Sequence, residues 1–214
     1  MDGDSGRAAA EPVGIDLVAP EVFAPMLRKL TLAAVGVGIG VALVAAVWLS
    51  WPYAVVLGLV VAVPTIGYVL AFRRRRMWLR GTEIHAHRLF GARVVDLADA
   101  TGVQLLVFPG RLSRIVLKVT AGTEIQLIPL AMYTDAGSGR ELHLLGLRKL
   151  ADALAASELA AAISVSEVLV TQLRAEARDA PLGERPLYRG VRLVRDKDAV
   201  SPVVLTDAEV AALT

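Results

Sequence analysis

His85 and His87 stand two apart in the stretch Thr82-Glu83-Ile84-His85-Ala86-His87. On a strand that spacing puts both imidazoles on one face, which is half of a tetrahedral zinc site. The other half is missing: there is no cysteine, and the third histidine, His143, lies far along the chain. A solvated strand face accounts for the pair, and no metal ligand is assigned. Nucleophilic catalysis needs an activated group beside a base, yet Ser113, Ser138 and Ser164 lie in no recognisable nucleophile elbow. Gly36-Val37-Gly38-Ile39-Gly40 is rich in glycine, but it sits inside an apolar run without a lysine, so it cannot cradle a phosphate. The expectation is therefore a chain with no catalytic residue, no cofactor and no metal. The last chemistry-bearing cluster is Arg73-Arg74-Arg75-Arg76. Four guanidinium groups could neutralise nucleic acid. Beside a membrane they would engage lipid phosphates, at roughly 1 kcal/mol per basic residue near an anionic surface. Anionic lipids, and not nucleic acid, are the expected partner of this run. Arg80, Arg88 and Arg93 could extend the same basic face.

The elements that carry these groups begin with two apolar runs. Leu30 to Leu49 and Tyr53 to Phe72 contain no Asp, Glu, Lys, Arg or His, and Ser50-Trp51-Pro52 separates them. Each is about 20 residues, enough at ~1.5 Å rise per residue to cross a ~30 Å hydrocarbon core. In lipid every backbone amide needs an internal partner, so both runs are expected to be helices. Composition agrees: the chain has 214 residues, 55% of them hydrophobic, and a mean hydropathy of +0.56. That is too apolar for an ordinary soluble domain and too short for a large transporter. Ion translocation, proton relay and haem ligation leave ionisable residues in the membrane, and their absence here argues against a channel, a pump or a cytochrome.

Net charge is only +2, but it is unevenly placed. Residues 1 to 27 carry Asp2, Asp4, Glu11, Asp16 and Glu21 against Arg7 alone, whereas Arg28-Lys29 and Arg73 to Arg76 bracket the apolar pair. Basic residues near span ends stay cytoplasmic, so both termini are expected in the cytoplasm and the charge-free hinge outside, in an inner (plasma) membrane. Trp48, Trp51 and Tyr53 cluster at the hinge as an interfacial belt would. A cleaved signal peptide fits less well, because mostly polar residues precede a run that is long for an h-region.

Small residues mark candidate packing faces. Gly36 and Gly40 are four apart in the first run; Ala54, Gly58 and Ala62 are four apart in the second. Such faces let helix backbones approach closely, either within the hairpin or against other spans. Pro64 is expected to kink the second helix.

Four regions follow. Residues 1–27 read as a flexible cytoplasmic arm punctuated by Pro12, Pro20 and Pro25, in which Ile15-Asp16-Leu17-Val18 could still dock. Residues 28–76 are the transmembrane hairpin. Residues 77–156 hold short strands at about 82–89, 93–97, 103–107, 114–119 and 124–128, with Ala121-Gly122 as a hairpin turn, and then a helix with Leu142, Leu145, Leu147, Leu150 and Leu154 at helical spacing. Residues 157–214 read as a helix from Glu158 to Arg178 with a break at Ser164-Val165-Ser166, a short basic strand from Leu187 to Arg195, and a last helix opened by the capping box Thr206-Asp207-Ala208-Glu209. This tail is too short to build its own core, so it wraps the preceding domain or lies on another protein.

The order of a basic junction, Trp78, a series of short strands and one amphipathic helix resembles the bacterial pleckstrin-homology-like domains that follow a two-helix membrane hairpin. The residues that carry the resemblance are Arg73 to Leu79, Thr82-Glu83-Ile84, Arg93-Val94-Val95-Asp96-Leu97 and the helix from Leu142 to Leu154. It implies a membrane α-hairpin plus an α+β cytoplasmic domain, with an antiparallel bent sheet capped by a C-terminal helix. The charge-free hairpin, the arginine anchor and the tail from Pro181 are also similar to the respiratory supercomplex association factors, small actinobacterial proteins found with the bcc–aa3 supercomplex. That resemblance implies a structural subunit without a redox centre, whose partners are other integral membrane subunits. The alternative is a stand-alone membrane-anchored module of pleckstrin-homology type that binds lipid or peptide.

Overall fold

The computed structural model describes residues 12–17, 20–74, 76–87 and 91–214. The chain divides into two compact units, one made of residues 18–76 and 87–91 and the other of residues 1–17, 77–86 and 92–214.

The first unit is a pair of helices, α1 (Pro20–Ala45) and α2 (Trp51–Arg74). Each contains a 21-residue stretch long and apolar enough to cross a membrane, Pro25–Ala45 and Trp51–Ala71. Helix α1 starts well before the apolar run, because proline in a first turn forfeits no intrahelical hydrogen bond and Pro20 occupies the first helical position. It also ends four residues before Leu49. There Ala46 and Leu49 bond back to Ala42 and Ala45 in a tight turn, and Tyr53 and Ala54 start α2 on the Ser50 carbonyl. Helix α2 runs on through Pro64.

The second unit holds two antiparallel sheets. One has the order β1-β2-β3-β4, from Val13–Gly14, Arg76–Arg80, Glu83–His87 and Ala92–Asp96. The other has the order β8-β7-β6-β5-β9, from Gly139–Glu141, Glu124–Thr134, Leu112–Ala121, Gly102–Phe108 and Val203–Val204. Strands β6 and β7 join through a turn in which Gly122 takes φ +57°, a value open to glycine at little cost. Opposite Ile115 and Val116 the register shifts, and Val116 faces Pro129. Proline cannot donate to a ladder. It is tolerated in β7 because β8 pairs only with residues 131 to 133, leaving Pro129 without a neighbour on that side.

The arm before α1 is not wholly free. Val13 and Gly14 pair with Leu79 and Trp78, the Ile15 amide donates to the Met77 carbonyl, and the Met77 amide donates to Asp16 Oδ2. Ile15 is fully buried.

Four helices complete this unit: α3 (Leu144–Ala155), α4 (Ala160–Ala177), α5 (Pro186–Arg195) and α6 (Asp207–Ala211). Of the two arrangements open to the tail, residues 157–214 take the first and pack on the preceding domain. Val165, Val168, Leu169, Leu187, Val191, Val194, Leu205, Val210 and Leu213 join Leu105, Leu117, Ile128, Leu147 and Leu154 in one core. Residues 187–195 form a helix and not a strand. Leu187, Gly190, Val191 and Val194 are the buried positions, a helical spacing, and Pro186 supplies a favourable first residue. Nor is α4 broken at its serines, since Ser166 Oγ donates to the Ala151 carbonyl at 2.9 Å and ties α4 to α3.

Candidate functional site

In the helix pair, the small residues that meet are not the two expected from α1. A Cβ added at Gly38 would lie 2.9 Å from both the Gly58 carbonyl oxygen and Ala62 Cβ. One added at Gly58 would lie 2.5 Å from the Gly38 carbonyl oxygen and 2.9 Å from Ala42 Cβ. Ala54 and Ala62 are buried beside this crossing. Gly36 and Gly40 have nothing within 4 Å and do not take part in it. The reason is helical geometry. At ~100° per residue, positions two apart point to nearly opposite sides, so Gly38 on the crossing turns Gly36 and Gly40 away. The signal was in the sequence: Ala34, Gly38 and Ala42 are also four apart, one small residue more than the pair singled out. Gly40 instead borders an apolar hollow with Val37, Val41, Val44, Trp48 and Leu57.

The basic anchor is spread over several elements. Arg28 and Lys29 are exposed within α1, and Arg76 is exposed at the start of β2. Arg75, Arg88 and the side chains of Arg73 and Arg74 lie outside the described residues. Arg80 is exposed, but Arg93 is not a free cation, for its Nε pairs with Glu124 Oε2 at 2.6 Å. His85 is likewise engaged. Its Nε2 lies 3.2 Å from Glu83 Oε2, and its ring stacks on Trp78 with centroids 5.8 Å apart. Among the described residues no group of three His, Asp or Glu side chains is arranged to hold a metal ion.

The densest polar assembly was not anticipated. It lies where β7, β8, α4 and the start of α5 converge. Glu141 accepts hydrogen bonds from the Tyr133 hydroxyl at 2.6 Å, Gln172 Nε2 at 3.0 Å and an Arg185 guanidinium nitrogen at 2.7 Å. Gln172, fully buried, also donates to Glu176 Oε1 at 3.1 Å and accepts from the Leu187 amide at 3.2 Å. Arg185 Nε donates to the Ala180 carbonyl. Tyr188 packs edge-on against Tyr133 with centroids 5.1 Å apart. Burial, and then the charge of Glu141, push the Tyr133 hydroxyl well above its ordinary range. Burial also pushes Glu176 up to about 7; the Gln172 hydrogen bond opposes this, and Glu141 adds to it. No short-range motif marks this assembly, because its members span residues 133 to 185. A second tie lies at the other end of α5, where Arg195 donates to buried Ser113 Oγ at 2.9 Å and pairs with Asp135 at 3.0 Å.

No protein-family profile, curated protein or solved structure matches this chain.

Proposed function

We propose that the chain is a two-pass anchor of the inner membrane that holds a small α+β unit of pleckstrin-homology type on the cytoplasmic face, and that it acts without catalysis, as an accessory subunit docking on other integral membrane proteins. The observation that carries the reading is how little of the helix pair is buried: 11% of residues in one apolar window and 22% in the other. The core helix of a soluble domain would be mostly covered. Leu32, Leu43, Val44, Val56, Leu59 and Val60 are instead all more than half exposed, and surface of this kind calls for lipid or another span.

Connectivity supports the two-pass arrangement. Strands β1 and β2 are partners in one sheet, and they are the segments just before α1 and just after α2. On this reading, a helix pair tied to one folded unit at both ends would enter and leave the bilayer on one side. The outward placement of Gly36 and Gly40 supports docking, since small residues on a lipid-facing surface allow another helix close approach. Arg28, Lys29 and Arg76 fit contact with anionic lipid phosphates. A respiratory supercomplex of the bcc–aa3 class is the partner suggested by the resemblance described above.

Two experiments test this reading. Purification from native membranes in mild detergent, followed by mass spectrometry, should recover integral membrane partners; a strictly monomeric particle across detergents and nanodiscs would overturn the docking role. The chain has no cysteine, so Ser50→Cys and Thr214→Cys variants each report one site. The thiol at 50 should react with an impermeant reagent in intact cells, and the thiol at 214 only after lysis. Equal reactivity of both in intact cells would overturn the topology.

A further inference from the structure

Glu141 and Glu176 are bridged by one amide nitrogen, Gln172 Nε2, and Arg185 is the cation paired with Glu141. Arg185 is committed to Glu141 at 2.7 Å. The amide nitrogen of Gln172 is spent on both carboxylates, at 3.0 and 3.1 Å, and the Tyr133 hydroxyl is spent on Glu141. Among the described residues Glu141, whose side chain is 10% exposed, therefore has three side-chain donors, whereas Glu176 has Gln172. With one proton on Glu176 the assembly is neutral, because Arg185 balances Glu141. Without that proton two negative groups face one positive group in a poorly solvated place, which disfavours the closed arrangement.

We propose that the Glu141–Glu176 pair is a proton-operated latch that fastens α4 and the 178–186 connection to the β7–β8 hairpin when Glu176 holds a proton, and loosens them when that proton is lost. The groups facing the pair are Tyr133 from β7, Gln172 from α4, Arg185 from the connection, and Tyr188 from α5 behind Tyr133. The proton leaves to bulk water, which Glu176 can reach because it is only half-buried. The element at stake is the seam between sheet and tail. The Leu187 amide, in the first turn of α5, bonds to the same Gln172 that bridges the acids. The sign follows from linkage. Closed, Glu176 titrates at about 7; opened, it titrates as an ordinary glutamate near ~4.3. The closed form thus holds the extra proton between those values, so its advantage is complete in acid, falls across that interval and is gone above neutrality.

The test is hydrogen exchange of residues 178–195 in the full chain, reconstituted in nanodiscs, from pH 5 to pH 8.5, with each rate divided by the rate of an unstructured peptide at the same pH. The corrected opening equilibrium of the wild type should rise about ten-fold or more between pH 5 and 7.5 and then level off. Glu176→Gln keeps the shape and a donor but removes the titration, so its corrected rates should not change with pH. The same pH dependence in both proteins would overturn the latch. An infrared measurement stands beside it should that variant fold poorly. In the wild type a protonated carboxyl band should disappear near neutral pH, and in Glu141→Gln its midpoint should move toward the ordinary glutamate range. A band that titrates only in the ordinary range in both proteins would overturn the proposal.

Discussion

Replacing Gly58 by alanine places a methyl carbon 2.5 Å from the Gly38 carbonyl oxygen and 2.9 Å from Ala42 Cβ. Carbon and oxygen tolerate an approach of ~3.3 Å, and two carbons sit best at ~3.5–4.0 Å. The helices must therefore separate by roughly 0.6–0.8 Å at the crossing, a gap that forfeits about a quarter to a half of each dispersion contact around it. The obstructing atom is backbone, so no side-chain rotation relieves it. Overpacking of this kind costs about 1–3 kcal/mol. In lipid no hydrophobic term compensates, because helix pairing there rests on contact itself. Gly36→Ala and Gly40→Ala are the controls. A Cβ added at either would meet no other part of the structure within 4 Å, so both should leave hairpin stability within about 0.5 kcal/mol. The assay is reversible unfolding in mixed micelles by SDS titration, followed through the tryptophans at the hinge. A Gly58→Ala transition superimposable on that of Gly36→Ala would refute the crossing.

Gly36→Leu should leave the same unfolding curve unchanged but reduce co-purification of membrane partners; an intact yield of partners would show that this outer face does not dock. Ile15→Ala should destabilise the α+β unit by about 2–5 kcal/mol, since Ile15 is fully buried; it should also free residues 12–17 for proteolysis, which a gel against the wild type reads directly. Arg185→Met leaves Glu141 without its cation and should cost about 3 kcal/mol, more at pH 8 than at pH 6, measured from denaturant midpoints at the two values. Thr206→Ala removes the side chain that caps α6, where Thr206 and Glu209 bond reciprocally. It should cost about 1 kcal/mol, visible as faster exchange of the Glu209 and Val210 amides.

Much of the architecture was legible locally. In lipid a single stretch of about 20 apolar residues satisfies its backbone as a helix, and both apolar runs are helices here. The strands from β3 to β7 follow from period-two alternation and from turns such as Gly122, but their division into two sheets after β4 does not. The capping box at Thr206 is complete within four residues. Other features depend on partners distant in sequence. The first apolar run offers two small-residue faces, Ala34-Gly38-Ala42 and Gly36-Gly40, and docking against Ala54, Gly58 and Ala62 favoured the one with Gly38. Strand β1 is two residues long and exists because the edge of β2 is there to pair with it. Residues 187–195 satisfy strand and helix patterns alike over so short a span, and burial against Ile115, Leu205 and Leu213 around Gly190 decided for the helix.

The polar assembly shows the same division most plainly. Tyr133, Glu141, Gln172, Glu176 and Arg185 are ordinary residues where they stand in the chain. Their meaning comes from convergence: a sheet edge, a long helix and a connection close on one another, so that one amide bridges two carboxylates and Arg185 pairs with Glu141. The sequence by itself determined which segments are greasy, which alternate and which turn, because those properties are settled by neighbours a few bonds away. The tertiary structure alone decided which helix face is inside and which acids meet, because packing and desolvation are properties of space and not of order along the chain.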